Sequence, residues 1–139
     1  MDDCHHQSSQ RRLLLAIRGG EIIQATTLEQ IETILEAHPE KLVVIDFTSQ
    51  NCPPCKKVAP LYEELSESEE FEGKVVFLKV DVDENPDAVS KYGVTGWPTF
   101  VFVKKGEVQA EVVGGKLAEA TLYDWVKLLM PKEEKAKQE

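Results

Sequence analysis

The chain has 139 residues, a hydrophobic fraction of 42% and a formal net charge of −9, which fits one domain whose core needs no stabilising disulfide or metal. The negative charge argues against binding nucleic acid or an anionic membrane through a broad basic face, and no apolar run approaches the roughly 20 residues that span a bilayer. Because the chain has three cysteines, at least one thiol lies outside any intramolecular disulfide.

Residues 1–20 are predicted to form a flexible N-terminal extension, because they are polar, lack periodicity and end on Gly19 and Gly20. The extension opens with acidic residues and has only a short apolar patch at 13–17, which makes it a poor secretory signal. We therefore expect a cytoplasmic protein, although the three arginines of the extension leave targeting to an organelle as an alternative. Cys4 is interpreted either as a regulatory thiol or as a passive surface thiol.

Residues 21–130 are predicted to form one α/β domain, and residues 131–139 a solvated C-terminal tail. Apolar and β-branched runs indicate strands at 21–25, 42–47, 74–80, 99–104 and 108–113. Helical periodicity indicates a helix that is capped by Thr26 and ends near His38, and further helices at about 52–70, 86–92 and 117–129. This order predicts a mixed central sheet of about five strands with helices on both faces.

The candidate chemical centre is the pair Cys52 and Cys55, separated by Pro53 and Pro54. The pair follows a buried strand and opens a helix, where unpaired backbone amides and the positive end of the helix dipole favour the thiolate of Cys52. A thiolate is the nucleophile of disulfide exchange. Cys55, one turn further and expected to be deeper, is placed to resolve the mixed disulfide, and the two prolines keep the loop stiff. The pattern indicates a thiol–disulfide oxidoreductase.

Two other interpretations of the cysteine pair remain open. A C-x-x-C pair is also half of a zinc site, and its other half would have to come from Cys4, His5 and His6 in the extension. A structural disulfide without turnover is the second alternative, but so tight a loop adds little stability. We expect neither a metal nor another cofactor.

Two long segments carry a family resemblance, VVIDFTSQNCPPCKKVAP at 43–60 and VVFLKVDVDENPDAVSKYGVTGWPTFVFVKKGEV at 75–108. In order and spacing they resemble the thioredoxin family, and the resemblance covers about residues 21–130. It implies the thioredoxin fold and a protein-disulfide reductase that acts on disulfide-containing target proteins. The electron donor is then a thioredoxin reductase or a glutathione/glutaredoxin system. The extension with Cys4 is similar to that of some plant h-type members.

The resemblance also implies roles for two charged residues in the predicted strands. Asp46 matches the buried acid of the family, whose pKa burial should raise, so that it exchanges a proton with Cys55 through water. Lys79 matches the lysine that faces this acid. From the residues alone, Lys79 is equally well interpreted as a solvated lysine at a strand end.

Pro98 matches the family's cis-proline beside the disulfide, a bond made accessible by the small trans preference of X–Pro peptides. The backbone of Trp97, which precedes it, would then pair with an extended segment of the target. Gly114 matches the glycine that leaves room for this segment, although a turn also accounts for it. Trp97, Pro98 and Gly114 are therefore predicted to bind substrate, together with Asn51.

Three positions depart from the family pattern. Asn51 stands before Cys52 where tryptophan is usual, Pro53 stands where glycine is usual, and Trp97 stands where a smaller aliphatic residue is common. We hypothesise that Trp97 restores part of the apolar contact surface lost with Asn51; the alternative is that it only packs on a neighbouring loop. Because of Asn51, a thioredoxin-fold adaptor or binding module with weak or specialised redox activity remains the alternative function.

Overall fold

Strands and helices alternate in the order expected from the sequence, as seen in a computed structural model that describes residues 21–132. The elements are β1 (Ile22–Ala25), α1 (Leu28–Ala37), β2 (Leu42–Thr48), α2 (Pro53–Ser66), β3 (Val75–Asp81), α3 (Pro86–Lys91), β4 (Thr99–Lys104), β5 (Glu107–Val113) and α4 (Gly115–Leu129). The expectations for the extension at 1–20, including Cys4 and organelle targeting, and for the tail at 133–139 lie outside the described residues. Within residues 21–132, no helix is long and apolar enough to cross a membrane.

The five strands form one sheet in the order β1-β3-β2-β4-β5. β3 pairs in parallel with β1 and β2, whereas β4 pairs antiparallel with β2 and β5. The central strand β2 is buried from Leu42 to Phe47, which explains its nearly continuous apolar sequence. The predicted mixed sheet of five strands is confirmed.

Successive side chains of β2 point to opposite faces of the sheet, and each face has its own core. Val43, Ile45 and Phe47 pack in a cluster that includes residues of α1 and α3. Leu42 and Val44 pack in a second cluster with residues of α2 and α4. Helices therefore cover both faces, as predicted. By the same alternation, Asp46 belongs to the face covered by α2 and α4.

Several helix ends differ from the sequence prediction, and α4, for example, begins at Gly115 rather than at 117. The cap of α1 is Thr27 rather than Thr26: the Thr27 hydroxyl accepts a hydrogen bond from the Gln30 amide at 3.0 Å, while Gln30 Oε1 accepts one from the Thr26 amide at 2.7 Å. Helix α2 ends at Ser66, four residues before the predicted 70, and the Ser66 hydroxyl donates to the Glu63 carbonyl. Such side-chain bonds to the backbone compete with helix continuation.

Tyr62 fixes α2 to the sheet. Its side chain is 1% exposed, and its hydroxyl donates to the carbonyl oxygens of Leu78 at 2.6 Å and Val44 at 3.1 Å. Burial, and next to it the charge of Asp46, raises the pKa of Tyr62 well above its ordinary value, so the hydroxyl remains a donor. This anchor connects the helix that begins at the cysteine pair to both central parallel strands.

Candidate active site

Cys52 and Cys55 form a disulfide at the start of α2, with their Cα atoms 5.2 Å apart. Cys52 is the N-cap residue, in an extended backbone conformation, and Pro53 and Pro54 occupy the first helical positions. Because proline has no N–H, the first backbone donor of the helix is the Cys55 amide, which donates to Cys52 Sγ at 3.1 Å. The first free N–H group of helix α2 therefore points at the sulfur of Cys52.

The two cysteines are equally buried, each 5% exposed, which differs from the expectation that Cys55 lies deeper. Cys52 is covered by the segment that lies across from it, in which the Trp97–Pro98 peptide bond is cis. The Trp97 carbonyl oxygen lies 3.7 Å from Cys52 Sγ. A disulfide sulfur has no proton, so this is a packing contact here, and in the dithiol form a Cys52 thiol at this distance can donate to the carbonyl.

The cis-proline segment is held from its other side by Gly114, whose amide donates to the Pro98 carbonyl at 2.8 Å. Gly114 has φ 100° and ψ 141°, a backbone conformation that only glycine adopts readily. Pro98 is buried, whereas the Trp97 side chain is 42% exposed beside the disulfide. The structure thus places Cys52, Trp97, Pro98 and Gly114 in one contiguous row.

Asp46 is 4% exposed, and its Oδ1 has no hydrogen-bond partner within the described part of the chain. Burial raises the pKa of this carboxyl to about 7, while the positive charge of Lys79 acts in the opposite direction. Asp46, Lys79 and Cys55 all line one cavity of about 620 Å³, together with exposed residues such as Lys56 and Glu84. A buried acid that titrates near neutral pH therefore shares an open cavity with the second cysteine.

Asn51 is exposed in the turn before Cys52, and the residues before it hold this turn to the end of β3. The Ser49 hydroxyl donates to Asp83 Oδ2 at 2.9 Å, and Gln50 Nε2 donates to Asp81 Oδ2 at 3.3 Å. Sequence analysis missed this support, for which the cluster of acidic residues directly after β3 was the available signal.

Gly115 is a further residue that sequence analysis did not place in the site. A Cβ atom on Gly115 would lie 3.0 Å from the Pro54 carbonyl oxygen, so the start of α4 packs directly against the disulfide loop. The doubled glycine in the sequence was the available signal, but only Gly114 of the pair matched the family pattern. Cys4, the possible regulatory thiol, lies outside the described residues.

Within residues 21–132, no group of three or more His, Cys, Asp or Glu side chains is placed to hold a metal ion. The zinc ligands considered from the sequence, Cys4, His5 and His6, lie outside the described residues.

Comparison with known proteins agrees with the geometry of this site. The family model described as Thioredoxin matches residues 22–128. The chain is similar to thioredoxin H4 of Arabidopsis thaliana, with 40% identity over 102 residues, which are 72% of this chain and 84% of the relative. It is also similar to thioredoxin H3 of the same plant, with 43% identity over 97 residues, which are 68% of this chain and 80% of the relative.

Two solved structures show the same fold. The crystal structure of Schistosoma mansoni thioredoxin matches with a TM-score of 0.70 and 38% identity, over 79% of this chain and 96% of that one. Thioredoxin f from spinach chloroplast, in its long form, matches with a TM-score of 0.72 and 30% identity, over 87% of this chain and 92% of that one. The predicted thioredoxin fold is confirmed, and the chain belongs to the thioredoxin family.

Proposed function

We propose that the chain reduces disulfides in target proteins by dithiol exchange, with Cys52 as the nucleophile and Cys55 as the resolving thiol. Membership of the thioredoxin family and a cysteine pair joined as a disulfide support thiol–disulfide oxidoreductase activity. The observation that carries the proposal is the Cys55 amide directed at Cys52 Sγ at 3.1 Å, since a backbone donor at the start of a helix stabilises a thiolate at that position.

The reaction starts from the dithiol form. The Cys52 thiolate attacks one sulfur of the target disulfide, which forms a mixed disulfide and releases the other target sulfur as a thiolate. The Cys55 thiol then loses its proton and attacks Cys52 Sγ, which releases the second target thiolate. The two target thiolates take up protons, the target gains two electrons, and the chain ends with the Cys52–Cys55 disulfide that the structure contains.

Asp46 is proposed to accept the proton that Cys55 loses. Both residues line the same cavity, which is large enough for water molecules to connect them. A carboxyl with a pKa of about 7 can take up and release a proton at neutral pH, which is the range in which a general base works best. Lys79 is proposed to support this step by lowering the pKa of Asp46, because a neighbouring positive charge favours the carboxylate.

Substrate contact is proposed for the residues around Cys52. The Trp97 backbone and the glycine at 114 leave an extended target segment room to pair beside the disulfide. Asn51 is proposed to contact the target from the opposite rim, and Pro53 and Pro54 to keep the loop rigid. Two electrons from a thioredoxin reductase or a glutathione/glutaredoxin system would restore the dithiol. We propose the cytoplasm as the location of the protein.

The test is the reduction of insulin disulfides driven by dithiothreitol, run on the full chain and on Cys52→Ser. We expect turnover in the full chain and none above the dithiothreitol background in Cys52→Ser, because the nucleophile is missing. Cys4→Ser is the matched control, since it also removes one thiol, and it should keep full turnover under these reducing conditions. Negligible turnover in the full chain would overturn the proposal and favour the adaptor function.

A regulatory role of Cys4 is a separate proposal. A thiol outside the active-site pair can form an intermolecular disulfide under oxidising conditions. Oxidised full chain should then show a dimer on non-reducing gels that is missing in Cys4→Ser. If both proteins stay monomeric and have the same redox behaviour, Cys4 is a passive thiol.

A further inference from the structure

A second groove of about 640 Å³ lies beside the disulfide loop and shares no lining residue with the Asp46 cavity. Its lining comes from the first turns of α2 and α4 and from the end of β5, with Pro53, Pro54, Lys57, Val113, Gly114, Gly115, Lys116, Leu117 and Glu119. The groove begins at the two prolines between the cysteines. It also includes Gly114, which donates to the Pro98 carbonyl, so it continues directly from the proposed substrate-contact residues.

The groove has an apolar surface that the fold leaves uncovered. Leu117 is 53% exposed and Val113 is 47% exposed, although both are large hydrophobic side chains. Gly115, which also lines the groove, packs closely against Pro54, since a Cβ there would lie 3.0 Å from the Pro54 carbonyl oxygen. An apolar side chain from a partner can therefore lie against Leu117 and Val113, which removes their surface from water.

The charge of the groove is opposite to that of the chain. Lys57 and Lys116 outnumber Glu119 in its lining, whereas the whole chain has a formal net charge of −9. The positive ends of α2 and α4 meet at the same place, and the N-cap of α4, Gly114, provides no side-chain cap. A carboxylate next to Lys57 and Lys116 is attracted locally, while the rest of the chain repels it.

We propose that this groove selects target proteins in which an apolar residue and an Asp or Glu lie next to the reactive cysteine. The apolar side chain lies against Leu117 and Val113, and the carboxylate lies between Lys57 and Lys116, while Cys52 attacks the target sulfur. The proposal rests on the proposed function and adds the substrate class. An overall acidic chain would otherwise disfavour acidic targets, so the lysines reverse the preference at the site of reaction.

The test uses three synthetic peptides that contain one cysteine and are joined as symmetric disulfide dimers. They are identical except at one position near the cysteine, beside a constant leucine, which holds Asp, Asn or Lys. Reduction by the full chain is followed as thiol release under dithiothreitol, and the background rate is subtracted. We expect kcat/KM for the Asp peptide to exceed that for the Lys peptide about 3- to 10-fold at low salt, with a smaller ratio at high salt.

The variant Lys57→Gln/Lys116→Gln should reduce this Asp-to-Lys ratio to about one or below. Lys105→Gln/Lys132→Gln is the matched control, because it also removes two positive charges from exposed residues. Lys105 lies in the β4–β5 turn, beyond the strand end that pairs with Leu42, and Lys132 follows the end of α4, so both are at the opposite end of their elements from the groove. The control should keep the ratio of the full chain. A fourth peptide with serine in place of leucine should be reduced about 3-fold less efficiently than the Asp peptide, because the apolar contact is lost.

The outcomes separate the groove from the function on which it rests. Equal kcat/KM for the Asp and Lys peptides at low salt, with all three reduced, would overturn the groove and leave the oxidoreductase function intact. A preference that persists in Lys57→Gln/Lys116→Gln would also overturn it, because the selecting charge would lie elsewhere. If no peptide and no insulin is reduced, both proposals fail together.

Discussion

Asp46 on β2 is the direct register partner of Lys79 on the parallel strand β3. The pair lies at the centre of the sheet, where the carboxyl is 4% exposed and Lys79 is partly exposed. Burial dominates over the charge of Lys79 and raises the pKa of Asp46 from 3.8 to about 7. The chain thus keeps an acid in its core that is uncharged below neutral pH and charged above it.

The first prediction concerns stability against pH. Between pH 3.8 and about 7 the folded chain holds a proton on Asp46 that the unfolded chain loses, so the free energy of unfolding falls as pH rises through this window. The whole effect corresponds to about 4 kcal/mol as an upper limit. Asp46→Asn should remove it, so the stability of the variant relative to the natural chain should rise from pH 4.5 to pH 8.

The measurement is urea unfolding of the oxidised proteins at several pH values across that range. The decisive quantity is the pH slope, because a buried Asn has a desolvation penalty of its own. Asp124→Asn, an exposed change on α4, is the control and should leave the slope of the natural chain unchanged. Parallel curves for Asp46→Asn and the natural chain would show that Asp46 does not titrate in this window.

The second prediction concerns the resolving step. If Asp46 accepts the proton of Cys55, Asp46→Asn should slow the release of target from the mixed disulfide about 10-fold or more near pH 7. Attack by Cys52 should change much less, since its thiolate is stabilised by the Cys55 amide. Rapid acid quenching followed by mass spectrometry would measure the mixed disulfide, which should accumulate in Asp46→Asn. An unchanged resolving rate would leave Asp46 without this role.

The third prediction compares two glycines beside the cis-proline. Gly114 has φ 100°, where an L side chain is strained, so Gly114→Ala should lower the free energy of unfolding by about 1–3 kcal/mol. It should also weaken target reduction, because a strained backbone at 114 would move the amide that donates to the Pro98 carbonyl. Gly96→Ala is the control: a Cβ there meets nothing within 4 Å and φ lies outside the strained range, so the change should stay within about 0.5 kcal/mol.

Urea unfolding and insulin reduction of the two variants check this prediction side by side. Equal stability of Gly114→Ala and the natural chain would mean that the backbone at 114 relaxes to another conformation at no penalty. A large loss in Gly96→Ala would mean that the segment before Trp97 is more tightly packed than its open surroundings indicate.

The sequence predicted the sheet well because each strand carries a local signal. The run at 42–47 is apolar throughout since β2 is buried on both faces, and the Lys105–Gly106 turn separates two β-rich runs. The cysteine pair was equally clear from its spacing and its place between a strand and a helix. These features are determined by residues that are close together in the sequence, so they can be recognised from one sequence.

The features that sequence analysis missed depend on residues far apart in the chain. The contact between Gly115 and Pro54 joins two helix starts that are far apart in the sequence, and the doubled glycine does not by itself show which residue it meets. Thr26 and Thr27 are both suitable caps, and only the structure shows that the Thr27 hydroxyl accepts the capping bond from the Gln30 amide. The equal burial of the two cysteines likewise depends on the Trp97–Pro98 segment, 45 residues from Cys52.

The last prediction concerns Trp97, whose carbonyl oxygen lies 3.7 Å from Cys52 Sγ while its side chain is 42% exposed. An exposed aromatic ring contributes little to the core, so Trp97→Ala should leave the free energy of unfolding within about 0.5 kcal/mol of the natural chain. If the ring restores the contact surface lost with Asn51, kcat/KM for insulin should fall about 5-fold or more. Reduction of a small disulfide such as hydroxyethyl disulfide should change less than about twofold, since it cannot reach the ring and the sulfur together.

Trp97→Phe is the matched variant, because it keeps an aromatic surface on the same backbone and should recover most of the insulin activity. This rescue separates a contact role from a purely structural one, in which both variants would affect large and small disulfides alike. Equal insulin turnover by Trp97→Ala and the natural chain would show that the ring only packs on its own loop. In that case the Trp97 ring does not replace the apolar surface that is missing because Asn51 stands where the family has tryptophan. Val113 and Leu117 of the second groove would then provide the apolar contact with targets.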